Sequence, residues 1–231
     1  MSMLPFQEFK KRLAPTLENI CRDLIQENKG KISVKKETVA VKNMMRILEA
    51  VFALTQEKGF QTMSLRDLSR KSGLSMGALY SYFPGKKELR SMILRQGVAY
   101  TREVILEQTG ACPNPVERLE VAIETHLYLT EVLRPWFYFA YMEASSLSRR
   151  EKRRAMEDEL TTEQIFLDIL NEGVESGDLH CPDVELVAAL IKAVLQDWYL
   201  KRWKYKRRGV TVEDYARFVV DFVLSRLTGK P

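Results

Sequence analysis

The 231-residue sequence has few of the residues that build catalytic or metal centres. It contains two histidines, His126 and His180, and its three cysteines stand far apart without a Cys-x-x-Cys pair. No group of potential ligands has metal-binding spacing, and no glycine-rich phosphate loop is present. Three isolated cysteines give no disulfide framework either. These absences argue against an enzyme, and we expect neither a metal nor a cofactor.

Long apolar runs are also missing. The longest extends from Trp136 to Met142, whereas a transmembrane helix needs roughly 20 apolar residues. Charges at Glu8, Lys10 and Lys11 interrupt the N-terminal region, so it does not resemble a secretory signal. We therefore expect a globular protein of the cytoplasm.

Positive charge is concentrated in the first part of the chain. Residues 1–95 contain 18 Lys+Arg and 9 Asp+Glu, a net charge of +9. Residues 96–231 contain 18 and 22, a net charge of −4. This asymmetry indicates a polyanionic partner for the N-terminal part.

Apolar residues recur at helical spacing along the whole chain, and no alternating strand pattern is present, so the predicted fold class is all-α. Glycine and proline separate the helices. Pro15 should interrupt a first amphipathic helix over 5–27. The other predicted helices cover residues 38–58, 64–72, 76–82, 86–108, 115–132, 135–146, 149–176, 183–205 and 211–228.

Two short helices follow the helix over 38–58. Ser64 and Asp67 have the spacing of a capping box at the start of the first, and Ser75 caps the second. The turn between them contains Gly73. This is the sequence form of a helix-turn-helix.

The region from Arg46 to Leu89 resembles the DNA-binding domain of TetR-family transcriptional regulators. The matching residues are Ile47-Leu48-Glu49-Ala50, Gly59-Phe60, Ser64, Leu68, Gly73-Leu74-Ser75, Gly77-Ala78-Leu79-Tyr80, Tyr82-Phe83 and Lys86-Lys87-Glu88-Leu89. The resemblance implies an extension over 1–37, a helix-turn-helix DNA-binding domain over 38–91, and a helical ligand-binding and dimerisation domain over 92–231.

The implied function is a one-component regulator, a repressor by family default. It would bind a near-palindromic DNA operator as a homodimer and be released by a small hydrophobic or amphipathic effector. The alternatives are a helical interaction protein without specific DNA binding, and a regulator that activates transcription.

The second short helix must present a lean or hydrogen-bonding face to enter a major groove about 12 Å wide. Gly77 is costly inside a helix, which close approach to DNA or tight packing on the preceding helix would explain. Tyr80 and Tyr82 offer hydroxyls, one of them with a core position as the alternative, and Lys86 and Lys87 offer charge. The predicted DNA contacts are Lys42, Ser64, Arg66, Ser75, Met76, Gly77, Tyr80, Tyr82, Lys86 and Lys87.

Two positions depart from the family pattern, and the extension is long. Met63 stands where a threonine is usual, and Met76 stands where a basic residue is frequent, so a phosphate contact there is in doubt. We expect residues 5–27 to form an amphipathic helix that packs on the C-terminal body or on a partner. We expect the lysine-rich stretch 29–42 to act electrostatically along the DNA.

Aromatic residues of the C-terminal part are the predicted effector contacts, with plain core as the alternative. These residues are His126, Tyr128, Trp136, Tyr138, Tyr141, Met142, Phe166 and Trp198. His126 considered alone is better explained as a partly buried histidine whose hydrogen bonds are satisfied than as a specific contact.

The last two long helices are apolar over much of their surface, which fits the two-fold dimer interface that the resemblance implies, with monomer core as the alternative. The residues assigned to it are Val187, Leu190, Ile191, Val194, Tyr215, Phe218, Val219 and Phe222. Basic runs at 149–154 and 201–208 are interpreted as solvated helix ends. The sharper hypothesis is that one of them holds the phosphates of an acyl-CoA-like effector.

Overall fold

The computed structural model describes residues 5–13, 16–34, 36–144, 147 and 149–229. Within these ranges the regular structure is entirely helical, which confirms the predicted fold class. The helices are α1 (Phe6–Arg12), α2 (Thr16–Glu27), α3 (Glu37–Lys58), α4 (Leu65–Ser72), α5 (Met76–Tyr80), α6 (Lys86–Thr109), α7 (Pro115–Val132), α8 (Arg134–Ala144), α9 (Arg149–Ser176), α10 (Val184–Leu200), α11 (Arg202–Arg207) and α12 (Val212–Leu227). None of them is long and apolar enough to cross a membrane.

The chain divides into two compact units. The head unit comprises Leu13–Gly97 and Phe139–Leu147, and the body unit comprises Met1–Arg12, Val98–Tyr138 and Ser148–Pro231. The division falls inside α6, between Gly97 and Val98. The domain boundaries at residues 37 and 91 stay a prediction.

The head unit is built around α3, against which α2 and α4 pack. Ile20 and Leu24 of α2 are buried with Met44 and Leu48 of α3. Residues 16–27 thus pack on the head unit rather than on the C-terminal body, contrary to the expectation. At the other end of α3, aromatic rings close the core, and Phe139 meets Phe52 and Phe60 edge-on at 5.8 and 5.2 Å.

The body unit is built around α7, whose residues from Val121 to Thr130 are buried with the exception of Glu124, which is half-buried. Helices α9, α10 and α12 surround it, and α1 also packs on it. Phe6 and Phe9 of α1 contact the Tyr128 ring at 5.2 and 5.4 Å. The Phe6 N–H donates to Glu213 Oε1 on α12.

For three predicted segments, the helix bounds in the structure differ from the predicted ones by more than one of the described residues. The prediction of one helix over 183–205 is wrong. The backbone leaves helical geometry at Lys201 (φ −119°, ψ 33°), and the segment forms two helices, α10 and α11. The second short helix ends at Tyr80 rather than at residue 82. The first segment forms two helices, and Pro15 between them lies outside the described residues.

Candidate nucleic-acid interface and effector body

A capping box fixes the start of α4. The Ser64 hydroxyl accepts from the Asp67 N–H at 3.1 Å, and the Ser64 N–H donates to Asp67 Oδ2 at 2.9 Å. Lys58 adds an ion pair to the same carboxylate at 2.7 Å. The hydrogen bond from Lys58, followed by those from Ser64, holds the pKa of Asp67 well below its usual range. The cap therefore stays ionised at any physiological pH.

The turn between α4 and α5 is set by Gly73, whose φ of +66° lies in the left-handed region that favours glycine. A Cβ at this position would stand 2.7 Å from Arg46 Nη2, so the α3 side chain covers the turn closely. The Ser69 hydroxyl donates to the Leu74 carbonyl across it at 2.6 Å. The orientation of α5 relative to α4 is thus fixed by backbone and side chain together.

Helix α5 has one buried and one exposed side. Leu79 is fully buried, whereas Ser75, Gly77 and Tyr80 are exposed, the tyrosine by 52%. A Cβ at Gly77 would meet only Ser75 Oγ, at 4.0 Å. The explanation by tight packing on the preceding helix is therefore wrong. The exposed side of α5 is lean, as a groove-reading face requires.

Two predicted DNA contacts are turned inward. Tyr82 is 1% exposed, because the chain leaves helical geometry after Tyr80 and carries the ring into the core; burial raises its pKa. Lys86 donates to the carbonyls of Gln61 and Met63 at 2.9 and 2.7 Å and lies 5.0 Å from the centre of the Phe60 ring. The Lys86 ammonium thus connects the loop before α4 to the start of α6. The prediction that Tyr82 and Lys86 contact DNA is therefore corrected for both residues.

The remaining predicted contacts stay predictions, and the structure gives their surroundings. Ser64, Ser75, Gly77, Tyr80, Lys42, Arg66 and Lys87 are exposed, and Met76 is half-buried. The connector after α2 runs beside α5, because the Ser33 N–H donates to the Ser81 carbonyl at 3.0 Å. The exposed Lys31 and Lys36 of that connector therefore belong to the same end of the head unit.

Residues 73–77 also match Gly-x-Ser-x-Gly, which is typical of the nucleophile elbow of hydrolases. An elbow joins a strand to a helix, whereas this segment joins α4 to α5. The Ser75 hydroxyl accepts the Ala78 N–H at 3.1 Å as an N-cap. Neither histidine of the sequence belongs to the head unit. The match belongs to the helix-turn-helix and supports no nucleophile.

The predicted effector contacts differ in burial. Tyr138, Tyr141 and Met142 are exposed, because α8 turns Trp136 and Phe139 inward and its opposite side outward. Tyr141 and Met142 belong to the head unit. The other predicted contacts are buried in the body unit, namely His126, Tyr128, Trp136, Phe166 and Trp198.

Trp198 is enclosed by protein groups. Its ring stacks on Tyr215 at 5.0 Å and lies 5.1 Å from Tyr205, and the Arg202 guanidinium covers it at 4.3 Å. Its indole N–H donates to Glu131 at 3.2 Å. With both the ring and the N–H occupied, Trp198 is a packing residue and its assignment to an effector is corrected.

His126 has a different environment. It lies on α7 between Phe137 and Phe166, with ring centres 6.0 and 6.4 Å away. Its Nδ1 is buried and finds no hydrogen-bond partner among the described residues. Burial, followed by the charge of Lys192, lowers its pKa well below the usual value, so the ring is neutral. The structure differs from the expectation of a partly buried, satisfied histidine, because the side chain is 2% exposed and its Nδ1 has no partner among the described residues.

Three of the six basic residues in the run at 201–208 form ion pairs within the body unit. Lys201 and Lys204 pair with Asp197, and Arg202 pairs with Glu131. Lys206, Arg207 and Arg208 are exposed. At the start of α9, the described basic residues of the other run, Arg149, Arg150, Lys152 and Arg153, are exposed as well.

The predicted dimer residues differ in exposure: three are exposed, three are buried and two are half-buried. Leu190 of α10 is 58% exposed, and Phe218 and Phe222 of α12 are 68% and 66% exposed, with their rings parallel and 6.4 Å apart. Ile191, Tyr215 and Val219 are buried in the protomer, so they are corrected to core positions. Val187 and Val194 are half-buried. Leu186, which was not among the predicted residues, is as exposed as Leu190.

Glu124 gives the stability of the body unit a pH dependence. Its Oε2 is buried without a hydrogen-bond partner among the described residues, and burial, followed by the charge of Glu120, raises its pKa to about 7. The ionised form is thus disfavoured in the fold. The neutral carboxyl therefore favours the folded state. Its full contribution to the free energy of unfolding is present below about pH 4.5, the ordinary pKa of a glutamate, and is lost as the pH rises through about 7.

We therefore expect Glu124→Gln to stabilise the protein at pH 8 by about 1–2 kcal/mol, after discounting for partial solvent access. At pH 4.5 the substitution should have little effect. Urea unfolding at the two pH values measures the difference, and Glu175→Gln on the exposed side of α9 is the control. Equal effects of Glu124→Gln at both pH values would contradict the assignment.

Comparison with known proteins agrees with this architecture. The family model described as "Bacterial regulatory proteins, tetR family" matches residues 47–92, and "Tetracyclin repressor-like, C-terminal domain" matches residues 112–227. The transcriptional repressor KstR2 of Mycobacterium tuberculosis is 25% identical over 184 residues, which is 79% of this chain and 91% of that protein.

Solved structures share the fold. A tetR-family regulatory protein from Rhodococcus RHA1 has a TM-score of 0.72 at 21% identity, covering 82% of this chain and 99% of that one. The regulator FadR of Bacillus subtilis, solved with stearoyl-CoA, has a TM-score of 0.67 at 20% identity, covering 79% and 98%. With a helix-turn-helix in the head unit and matching family models in both parts of the sequence, this chain belongs to the TetR family of DNA-binding transcriptional regulators.

Proposed function

We propose that the protein is a repressor that binds a near-palindromic operator as a homodimer and leaves it when a small apolar or amphipathic effector binds the body unit. The observation that carries the DNA contact is the lean exposed side of α5, anchored by Leu79 and flanked by cationic side chains. A dimer would present two such helices to major grooves about 34–36 Å apart.

The revised contact set is smaller than the predicted one. Gly77 lets the α5 backbone approach the bases, Ser75 and Tyr80 can hydrogen-bond there, and Lys87 binds a phosphate at the start of α6. Lys42 and the connector lysines add phosphate contacts, which do not depend on sequence. Met76 fits a thymine methyl group rather than a phosphate.

Release by an effector follows from linkage. A ligand moves the protein from the operator only by binding the released conformation more tightly, and the operator must weaken ligand binding by the same factor. The name of KstR2 supports a repressor, and the stearoyl-CoA bound to FadR supports an amphipathic acyl effector. The exposed Lys206–Arg208 and Arg149–Arg153 are the candidates for the phosphates of such a molecule.

The salt dependence of operator binding tests the proposed orientation of α5. Lys87→Ala should weaken binding to the DNA upstream of the protein's own gene by about 3–10-fold. It should also lower the slope of log K against log salt by about 0.9, which corresponds to one phosphate contact. Fluorescence anisotropy at several salt concentrations measures both.

The control is Lys206→Ala, which removes an equally exposed lysine from the body unit. It should leave both the affinity and the slope unchanged. Tyr80→Ala, compared with Tyr138→Ala, should weaken operator binding without changing the salt slope, because a base contact releases no counterion. Unchanged affinity in both Lys87→Ala and Tyr80→Ala would show that another face of the head unit reads DNA.

A further inference from the structure

Lys192 is a buried cation in the body unit. It lies on α10 and is 5% exposed, and its ammonium donates to Thr162 Oγ1 at 2.8 Å. Its acidic partner is Glu159, at 3.4 Å, whose carboxylate is about half exposed to water. Removing an ammonium from water is costly unless its charge and all three of its protons are compensated. Two of the three protons have partners here, and one of these contacts is long.

His126 lies near this ammonium on the neighbouring helix α7. Both side chains contact the same part of α9: the His126 ring lies 6.4 Å from the Phe166 ring, and Phe166 is one turn from Thr162, which accepts from the Lys192 ammonium. A neutral imidazole has one N–H donor and one acceptor nitrogen. Because Nδ1 finds no partner among the described residues, the site has hydrogen-bonding capacity from both side chains that the protein itself does not use.

The groups beside this polar pair are aromatic. Phe137 and Phe166 flank the imidazole, and Tyr199 lies against Phe137 with ring centres 5.2 Å apart. Phe166 is fully buried, whereas Phe137 and Tyr199 are half-buried and form the outer side. An apolar molecule that displaces the outer rings would meet aromatic groups along its length and the polar pair at its end.

We infer that His126 and Lys192 bind the carboxylate of a hydrophobic effector. This inference rests on the proposed function and narrows it, because the group that these two side chains fit is a free carboxylate rather than the thioester of an acyl-CoA. One carboxylate oxygen accepts from the free ammonium proton of Lys192, and the other accepts from the imidazole N–H. Glu159 and Glu163 already compensate part of the Lys192 charge. The carboxylate of the effector adds a negative charge on the buried side, which a ketone or an alcohol does not supply. Two donors suit a carboxylate better than a phosphate, whose three oxygens need more.

Calorimetry with a charged and an uncharged ligand of the same chain length tests this. Laurate and 1-dodecanol are titrated into the full chain at pH 8, and cholate serves as a second, bulkier carboxylate. We expect saturable binding of at least one carboxylate and at least about tenfold weaker binding of the alcohol. The inference is overturned if neither carboxylate binds, or if the alcohol binds as tightly as laurate.

Substitutions locate the site. Lys192→Met replaces the cation with an apolar chain of similar volume, and it should weaken carboxylate binding by at least about tenfold while leaving dodecanol binding unchanged. His126→Gln, which keeps a polar group, should give a smaller loss. The control His180→Gln alters the other, exposed histidine and should have no effect. Retained carboxylate selectivity in Lys192→Met would overturn the inference, even if that variant is more stable than the wild type.

Operator binding is measured on the same samples without ligand. If the operator binds and no carboxylate does, the effector assignment fails while the regulator stands. If a carboxylate binds through Lys192 and no operator fragment binds, the site stands and the proposed repressor fails.

Discussion

The double substitution Phe218→Glu, Phe222→Glu should convert the proposed homodimer to a monomer and weaken operator binding by at least about a hundredfold. Both rings are about two-thirds exposed, lie one turn apart on α12 and are parallel to each other. A side chain of this size gains roughly 1.5–3 kcal/mol when it is fully buried. Such a pair is uncommon on a surface that faces only water. Leu186 and Leu190 of α10 are exposed apolar residues as well.

The large effect follows from two-fold symmetry. In an isologous interface each substitution occurs twice, so four aromatic rings are lost and four carboxylates are brought together. A monomer also engages one half-site at a time, so it loses the high effective concentration of the second α5 helix. The fold of the protomer should survive, because neither ring belongs to its core.

The matched control is Met156→Glu, Leu160→Glu. These residues are also exposed, apolar and four positions apart, but they lie on α9. Light scattering after size exclusion gives the mass, and anisotropy gives the operator affinity. If the control pair dissociates the dimer and the α12 pair does not, the interface lies on α9 and the proposed assembly is wrong.

Much of the fold could be predicted because the residues that begin and end its helices can be recognised in the local sequence. Ser64, Ser75 and Thr211 cap helices in the sequence and in the structure, and Gly59 and Gly73 end them. The break at Lys201 has no such signal, since neither glycine nor proline stands there. It arises from tertiary packing, which returns the Tyr205 ring to Trp198 and its hydroxyl to Asp197.

The candidate sites were harder to predict because two neighbouring residues of the same type can differ in burial and in hydrogen bonding. Lys86 and Lys87 are adjacent, yet the first is held by two carbonyls and the second is exposed. On α12, which is apolar nearly all round, only packing against α7 separates the buried Val219 from the exposed Phe222. Lys192 carried no sequence signal as a site residue, because a lysine between apolar neighbours is most often solvated.

Trp198→Ala should cost about 3–5 kcal/mol of the free energy of unfolding, the largest stability loss that we expect from one substitution in the body unit. The indole is fully buried, and its removal leaves a cavity among Tyr205, Tyr215 and the Arg202 guanidinium. It also takes a donor from Glu131.

Trp203→Ala is the matched control, because this second tryptophan is 68% exposed one turn further along, on α11. Its loss should change stability by no more than about 0.5 kcal/mol. Urea unfolding followed by circular dichroism at 222 nm measures both variants. Since α10, α11 and α12 all contribute to the cluster, a cost below about 1 kcal/mol for Trp198→Ala would mean that the aromatic stack does not hold these helices together. The break at Lys201 would then need another cause than the return of Tyr205 to Trp198.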